Sequence, residues 1–589
     1  MNMPKVSLAK LEEMIVEQEK ERQNKLWRLD EIFRGFFSSS EELIDSFCYL
    51  AWKAKHCDID IRDGGLDVFE NEDELSRIAL YKIRSISRDE LAHIIPSVFG
   101  ILLTSSDEDL TFYCTHAYQD SLSSSVPHSA PDQIMDLICR ILNLTPNDTI
   151  FDLGSGYGAF LAYADQYCQE HFGKKLSVCG QEINSDAASY SKMVLSIAGV
   201  PYSIETANSL YSYAPEYTKA FVFPPYGLKY GPEFGSNLNT FGKDSLNPRT
   251  SSEWMFVLKM AEGLKPGKAA VALLPAGSMF RSTDQSVREY LLKKHLIDGV
   301  ISLPAGVLGF SGIATCVLLL KPDSNKVRVL DAGPIIGKVP SRLSDMQIPV
   351  DAIFEAFESE KVYCADPLDL IRKESNLHAG TILASNLESQ IPDPKKLSEV
   401  ANVIRGSQYT LAKFQDKLSV KPTKYQILTS SDIEDGLIDY SSLQYIDDTD
   451  EKLQKFALKE GDLVVTSKSS KVKMAPILEL EGRTIIVTGG MLIVRPKKDK
   501  LDPSFLKMFL ESESGQAIIR SIQKGITIVS LNAQDLQDIL VSCPPIEEQR
   551  KLSAKYNSLV ATYDGMRKDL QALESQIKSL FDDACKEDK

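Results

Sequence analysis

The residues with the clearest chemical meaning are Asp152-Leu153-Gly154-Ser155-Gly156-Tyr157-Gly158. A short strand, Thr149-Ile150-Phe151, leads into them and the helical stretch AFLAYADQYCQEHF follows, so the glycines occupy a strand-to-helix turn. Glycine lets a backbone turn tightly and approach a ligand without a Cβ clash, and a helix N-terminus is partially positive. A second strand, Leu176-Ser177-Val178-Cys179-Gly180, runs on to Glu182, thirty residues after Asp152. A carboxylate there is placed to accept hydrogen bonds from ribose hydroxyls, as in nucleoside-binding α/β folds. The spacing is not G-x-x-x-x-G-K-[ST], which disfavours nucleoside triphosphate hydrolysis.

A second set of residues suits nucleic acid. Arg405, Gln408 and Tyr409, then Lys413, Lys417, Lys421 and Lys424, form one basic stretch; Lys468, Lys471 and Lys473 form another within a serine-rich loop. Lysine and arginine suit phosphates, and Arg, Gln and Ser suit base edges. Taken alone, a lysine run is more often a solvated face. The net charge of −16 argues against non-specific nucleic-acid binding by the whole surface. Residues 396–545, however, hold 20 Lys+Arg against 20 Asp+Glu and are neutral, so the acidity lies elsewhere. Neither the seven histidines nor the ten cysteines have metal-ligand spacing, and no disulfide framework is indicated. No nuclease or helicase motif occurs, so restriction would need another protein.

The elements that must position these groups fall into blocks. At 589 residues, 43% hydrophobic and 25% charged, the chain has an ordinary globular composition and room for about three or four domains. Residues 1–110 read as a helical domain. Residues 111–340 alternate strand and helix: after the two strands above come 220–223, 269–275, 297–304 and 314–320, the pattern of a doubly wound α/β sheet. Residues 341–395 read as a connector, and 396–545 as a mixed α+β module. No apolar run is long enough for a membrane span and the N-terminus lacks a signal peptide, so a cytoplasmic location is expected.

Residues 546–589 read as one long helix. Leu552, Tyr556, Leu559, Tyr563, Met566, Leu570, Leu573, Ile577, Leu580 and Ala584 alternate four- and three-residue steps. That heptad seam predicts a coiled coil, within the chain or between chains.

The motifs taken together resemble a known family. FDLGSGYGAF, GQEIN at 180–184 and VFPPYG at 222–227 resemble the ordered motifs of S-adenosylmethionine-dependent DNA adenine-N6 methyltransferases. The segment 264–322, LKPGKAAVALLPAGSM through TCVLLLKP, is similar to the modification subunit of type I restriction–modification systems. The C-terminal third, with CPPIEEQRKLS and its long helix, resembles half of a type I specificity subunit. The resemblance implies a helical N-terminal domain, a Rossmann-like class I methyltransferase domain, a target-recognition domain and a coiled-coil helix.

It also implies roles. Asp152, Gly154 and Gly156 would line the S-adenosylmethionine pocket and Glu182 would hold its ribose. Ala130-Pro131 match a Thr-Pro near the methionine moiety, and Asn208 matches an Asp that faces the adenine ring. Pro224, Pro225 and Tyr226 match the turn under a flipped target base, with Tyr226 as the stacking face. Phe223 stands where the family has its catalytic Asn or Asp. The expected function is sequence-specific recognition of double-stranded host or phage DNA with S-adenosylmethionine bound, and with methyl transfer weakened by Phe223. The alternatives are an active, slow adenine-N6 methyltransferase and an interaction scaffold in a defence complex. The implied partners are DNA, a second copy or related subunit joined through the C-terminal helix, and a nuclease or other defence protein.

Overall fold

A computed structural model of the chain describes residues 8–587 except 35–39, 62–64, 118–128, 229–248, 310, 338, 340–346, 408–417, 435, 439, 441, 448–450, 470, 471 and 524–528. Gln408, Tyr409 and Lys471 therefore lie outside the described residues. The chain divides into two compact units, Met1–Ala379 and Gly380–Lys589.

The first unit opens with helices Leu8–Arg34, Glu41–His56, Glu74–Ile83, Arg88–Leu102 and Asp107–Ala117. Local signals set their ends. Asp73 accepts from the Ser76 N–H, and Ser87 with Glu90 forms a capping box at the start of helix 88–102. Helix 41–56 is buried on most of its surface, with Phe47 stacked on Phe33 at 5.6 Å. These helices share one hydrophobic core with the sheet that follows, so residues 1–110 are not a separate globule.

The sheet has nine strands: β1 Thr149–Asp152, β2 Ser177–Glu182, β3 Tyr202–Thr206, β4 Lys219–Val222, β5 Ala269–Pro275, β6 Ile297–Leu303, β7 Thr315–Leu320, β8 Val327–Asp331 and β9 Tyr363–Ala365. Their spatial order is β3-β2-β1-β4-β5-β7-β6-β8-β9. β7 runs antiparallel to both β5 and β6, and β9 antiparallel to β8; the other pairings are parallel. All seven residues of β5 are buried, as expected for a strand covered on both faces. The chain order reverses between β1 and β4, which opens a crevice at the C-terminal strand ends, where doubly wound folds bind ligands.

The connector expected over 341–395 requires correction. Helix Val350–Glu358 buries Ile353 and Phe357, and β9 completes the sheet. The Phe357 ring fills the space at Gly299 of β6, where a Cβ would lie 2.5 Å from it. Packing of this kind binds the segment into the first unit, which ends at residue 379.

In the second unit, an antiparallel sheet orders strands 401–405, 491–496, 463–466 and 474–476, and a mixed sheet joins 418–419, 444–446, 425–428 and 484–487, the last two parallel. Strands Pro394–Lys396 and Leu540–Ser542 pair and bring the two ends of the module together. The long helix is continuous from Ile546 to Glu587. Its root is fixed: Lys507, 3% exposed in its side chain, donates to the Tyr556 hydroxyl at 2.7 Å. Beyond the root, Leu559, Tyr563, Met566, Leu570, Leu573 and Ile577 are 52–66% exposed. The seam expected from 552 is thus divided, with Tyr556 held by the unit itself and the stripe from 559 open. No described helix is long and apolar enough to cross a membrane.

Candidate cofactor and target site

Three strand ends gather the groups expected to meet a nucleoside. Asp152 closes β1 and is 3% exposed; its carboxylate accepts from the Gly154 N–H at 3.2 Å. Burial, augmented by the nearby charge of Glu182, pushes its carboxyl up to about 8. Glu182 closes β2 and accepts from the Gly156 N–H at 3.0 Å and the Asn184 N–H at 2.9 Å. It thereby ties the glycine turn to the neighbouring strand. Gly156 and Gly158 have φ of 52° and 84°, a region glycine enters without strain. A Cβ at Gly158 would also come within 2.5 Å of the Ser191 hydroxyl.

Asn208 follows β3, and its side chain accepts from the Leu210 N–H at 3.1 Å. The preceding residue, Ala207, donates to the Glu182 carbonyl at 2.8 Å, so this turn adjoins the end of β2. Ala130 is buried, and Pro131 opens helix Asp132–Ile141, which packs on helix Ala159–Phe172. Above Gly154 the space is open: an added Cβ would meet nothing within 4 Å.

These groups fit S-adenosylmethionine. The cofactor brings an ammonium and a sulfonium, and Asp152 is a buried carboxyl whose charged form a neighbouring cation would favour. Glu182 keeps lone pairs for ribose hydroxyls after its two backbone bonds, since a carboxylate has about four acceptor positions.

The roles of two residues at this site were not foreseen from the sequence. Ile183 is 68% exposed immediately after Glu182, an apolar face next to the candidate ribose acceptor. Tyr157, between the two left-handed glycines, donates to Glu42 of helix 41–56 at 3.2 Å and stacks on Tyr190 with ring centroids 6.0 Å apart. Lys82 also donates to Glu42. Nothing local to residue 157 in the sequence points to a partner 115 positions away.

The Pro-Pro turn lies one strand over. Phe223 is the first residue beyond β4, followed by buried Pro224 and exposed Pro225. The Phe223 and Tyr226 rings meet edge to face at 5.6 Å. The Tyr226 hydroxyl is buried near Thr315 of β7, and burial raises its pKa. Helix Ser252–Gly263 holds this turn from below. The Ser252 hydroxyl lies 3.4 Å from the Pro225 carbonyl, and Glu253, 1% exposed, accepts from the Gly227 N–H at 3.2 Å. Ser251-Ser252-Glu253 before an apolar run signals a helix start; the hidden carboxylate it also supplies was not foreseen.

Of the basic groups expected to face DNA, Arg405 and Lys468 are exposed in the second unit. Lys473 is half-buried and donates to the backbone carbonyls of Ile433 at 2.8 Å and Ser430 at 3.1 Å. Two of its three donors pin that turn, which leaves one for an outside acceptor. Among the described residues, no group of His, Cys, Asp and Glu could hold a metal ion.

Residues 123–379 match the N-6 DNA methylase family, and residues 393–575 match the type I restriction modification DNA specificity domain. The chain thus joins a region similar to N-6 DNA methylases to a region similar to the type I restriction modification DNA specificity domain.

Relatives of both halves are known. The fusion is 24% identical over 379 residues to the type I restriction enzyme MpnII methylase subunit of Mycoplasma pneumoniae, covering 57% of this chain and 69% of that one. It is 26% identical over 239 residues to the MjaVII methylase subunit of Methanocaldococcus jannaschii, covering 36% and 41%. It is 21% identical over 179 residues to the EcoKI specificity subunit of Escherichia coli, covering 29% and 38%. The fusion thus spans about two thirds of the first relative's length and about two fifths of the other two. The crystal structure of a type I methyltransferase subunit from Streptococcus thermophilus superposes with a TM-score of 0.52 at 18% identity, covering 61% of this chain and 98% of that one. That likeness establishes a shared methyltransferase fold.

Proposed function

We propose that the fusion recognises specific double-stranded DNA with S-adenosylmethionine bound, and that methyl transfer to adenine N6 is weak or absent. One observation carries the doubt about chemistry: at the end of β4, the position before Pro224-Pro225-Tyr226 is a phenylalanine packed edge-on to Tyr226. The proposal for cofactor binding rests on Asp152, Gly154, Gly156, Glu182 and Asn208 at adjoining strand ends, with Ala130-Pro131 beginning the helix beside them. When bound, S-adenosylmethionine supplies an electrophilic methyl group.

The work left to the protein is to present the target nitrogen. In the family this chain resembles, an Asn or Asp before Pro-Pro-Tyr accepts a hydrogen bond from the target amine while an adjacent backbone carbonyl takes the second. Phe223 offers no acceptor. One amine hydrogen in a dry pocket would then lack a partner, at a cost of about 1–3 kcal/mol. Misorientation of the nucleophile would slow transfer by a further hundredfold or so. The ring also takes space a flipped base would need.

A slow enzyme is the second reading, and the intact turn favours it. Ser252 and Glu253 hold the Pro225–Gly227 backbone, so a carbonyl acceptor and the Tyr226 face remain in place. The experiment is transfer of labelled methyl to adenine-containing DNA by wild type and Phe223→Asn. Gain of activity in the variant supports the main reading. A fast wild type that slows on substitution overturns it.

In cells, DNA is the proposed partner, with a second copy or a related subunit along the C-terminal helix. Cleavage of DNA would require a separate nuclease or defence protein.

A further inference from the structure

We infer that Arg405 reads a guanine edge in the DNA target and that Asn532 holds its guanidinium in the reading position. The inference rests on the proposal that the second unit recognises DNA, and it assigns that recognition to two atoms' worth of contact.

The argument begins with charge. Four arginines of this unit are paired with carboxylates: Arg483 with Glu481 at 2.7 Å, Arg495 with Asp462 at 2.7 Å, Arg550 with Asp499 at 3.1 Å and Arg567 with Asp564 at 3.1 Å. Arg405 is built differently. It is exposed, and one of its terminal nitrogens donates to the side-chain oxygen of Asn532 at 2.7 Å, across 127 positions of sequence. A neutral amide fixes the guanidinium without neutralising it. Among the described residues, its remaining N–H groups are left for an outside acceptor with matching fork geometry.

The acceptor that fixes it is itself fixed. Asn532 caps the helical turn Ala533–Gln537, its oxygen also accepting from the Gln534 N–H at 3.3 Å. A capped side chain has little rotamer freedom to lose, so the arginine is ordered before a ligand arrives.

Topology places the pair at an edge suited to DNA. Arg405 ends its strand opposite Leu492, and Thr466 ends the next strand opposite Met491. The chain then continues to Lys468, which pairs with Ser530, while the Leu531 N–H donates to the Ser467 carbonyl at 2.8 Å. Arg405, exposed Lys468 and Asn532 therefore gather at one end of the four-stranded sheet. At the other end Arg495 is spent on Asp462 and Lys497 on the carbonyls of Ser398 and Glu399. A fork of N–H donors beside a single phosphate-seeking lysine matches the O6 and N7 acceptors of guanine in the major groove, with Lys468 on the flanking backbone.

The test is selection of binding sites from a randomised duplex library by the full-length protein and its variants Arg405→Ala, Arg405→Lys, Asn532→Ala and Lys468→Gln. The wild-type motif should contain one guanine whose preference drops about 5- to 150-fold in Arg405→Ala and also falls in Arg405→Lys, which keeps the charge but loses the fork. Asn532→Ala should weaken preference at that same position. Lys468→Gln should leave the motif intact and reduce the slope of log affinity against log salt by about one. Replacing that guanine by 7-deazaguanine should weaken the wild type and leave Arg405→Ala unaffected. A motif unchanged in Arg405→Ala, or a deaza effect that persists in that variant, overturns the assignment. A wild type that enriches no motif overturns the recognition reading itself, and the assignment with it.

Discussion

Phe223 meets Tyr226 edge to face, with ring centroids 5.6 Å apart and planes at 71°, across two prolines. The pair links the position where an amine acceptor is missing to the ring proposed to stack on a base. Removing the first ring should therefore free the second. We expect Phe223→Asn to raise methyl transfer by ten- to a hundredfold, the scale set by one restored acceptor. Single-turnover transfer from labelled cofactor checks it.

Glu182 carries the ribose in our reading and also accepts from the Gly156 and Asn184 N–H groups. Glu182→Ala should weaken S-adenosylmethionine binding by about 1.5–3 kcal/mol, the range for hydrogen bonds to a charged acceptor. Titration calorimetry reads this directly. A wild type silent at millimolar cofactor would end the cofactor proposal.

Asp152 makes stability depend on pH. Its folded pKa of about 8 lies above the ordinary carboxyl value of 3.8, so the folded state prefers the neutral acid. The associated stability is complete below about pH 4 and is lost as pH rises toward 8. We expect the melting temperature of the cofactor-free protein to fall across that window, and the slope to flatten in Asp152→Asn. A cofactor ammonium beside the carboxyl would favour its charged form. Cofactor affinity should thus increase with pH over the same range, with a proton released on binding at neutral pH. Equal slopes in wild type and Asp152→Asn would contradict the assignment.

Glu253 tests the support of the target turn. Its carboxylate is buried against the Gly227 N–H. Glu253→Ala leaves that donor unpaired and should cost about 1–3 kcal/mol in unfolding free energy. Glu253→Gln retains an acceptor oxygen and should cost less. Chemical denaturation of the two variants side by side separates them.

The exposed stripe from Leu559 to Ile577 predicts association. A Met566→Glu, Leu573→Glu double variant should be monomeric by light scattering, where the wild type is at least a dimer. It should still fold, with helix content by circular dichroism unchanged, because both side chains are solvent-facing in the single chain. A monomeric wild type would refute the pairing.

How far the sequence foretold this molecule depends on burial. β5 and β7 were legible because strands covered on both faces read as long apolar runs. β3, Tyr202–Thr206, was not, since only Ile204 of its five residues is buried at the edge of the sheet. β9, three residues long, was lost for the same reason, and with it the true extent of the first unit. Within the site, the glycine turn and Glu182 were legible because their types and spacing are set by local backbone needs. Glu253 and the partner of Tyr157 were not. A buried acid looks like any surface acid in a sequence, and a hydrogen bond between distant helices leaves no periodic trace.

The hydrogen bond from Tyr157 to Glu42 has a further consequence. The glycine turn is anchored to helix 41–56, which also receives Lys82 through the same carboxylate. Anything that steadies the turn therefore steadies a helix whose own sequence has no ligand motif. Amide protons of helix 41–56 should exchange more slowly with deuterated solvent when S-adenosylmethionine is added, and Tyr157→Phe should abolish that protection while leaving the helix folded. The N-terminal helices would then act as a remote gauge of cofactor occupancy, legible by mass spectrometry without any assay of methylation.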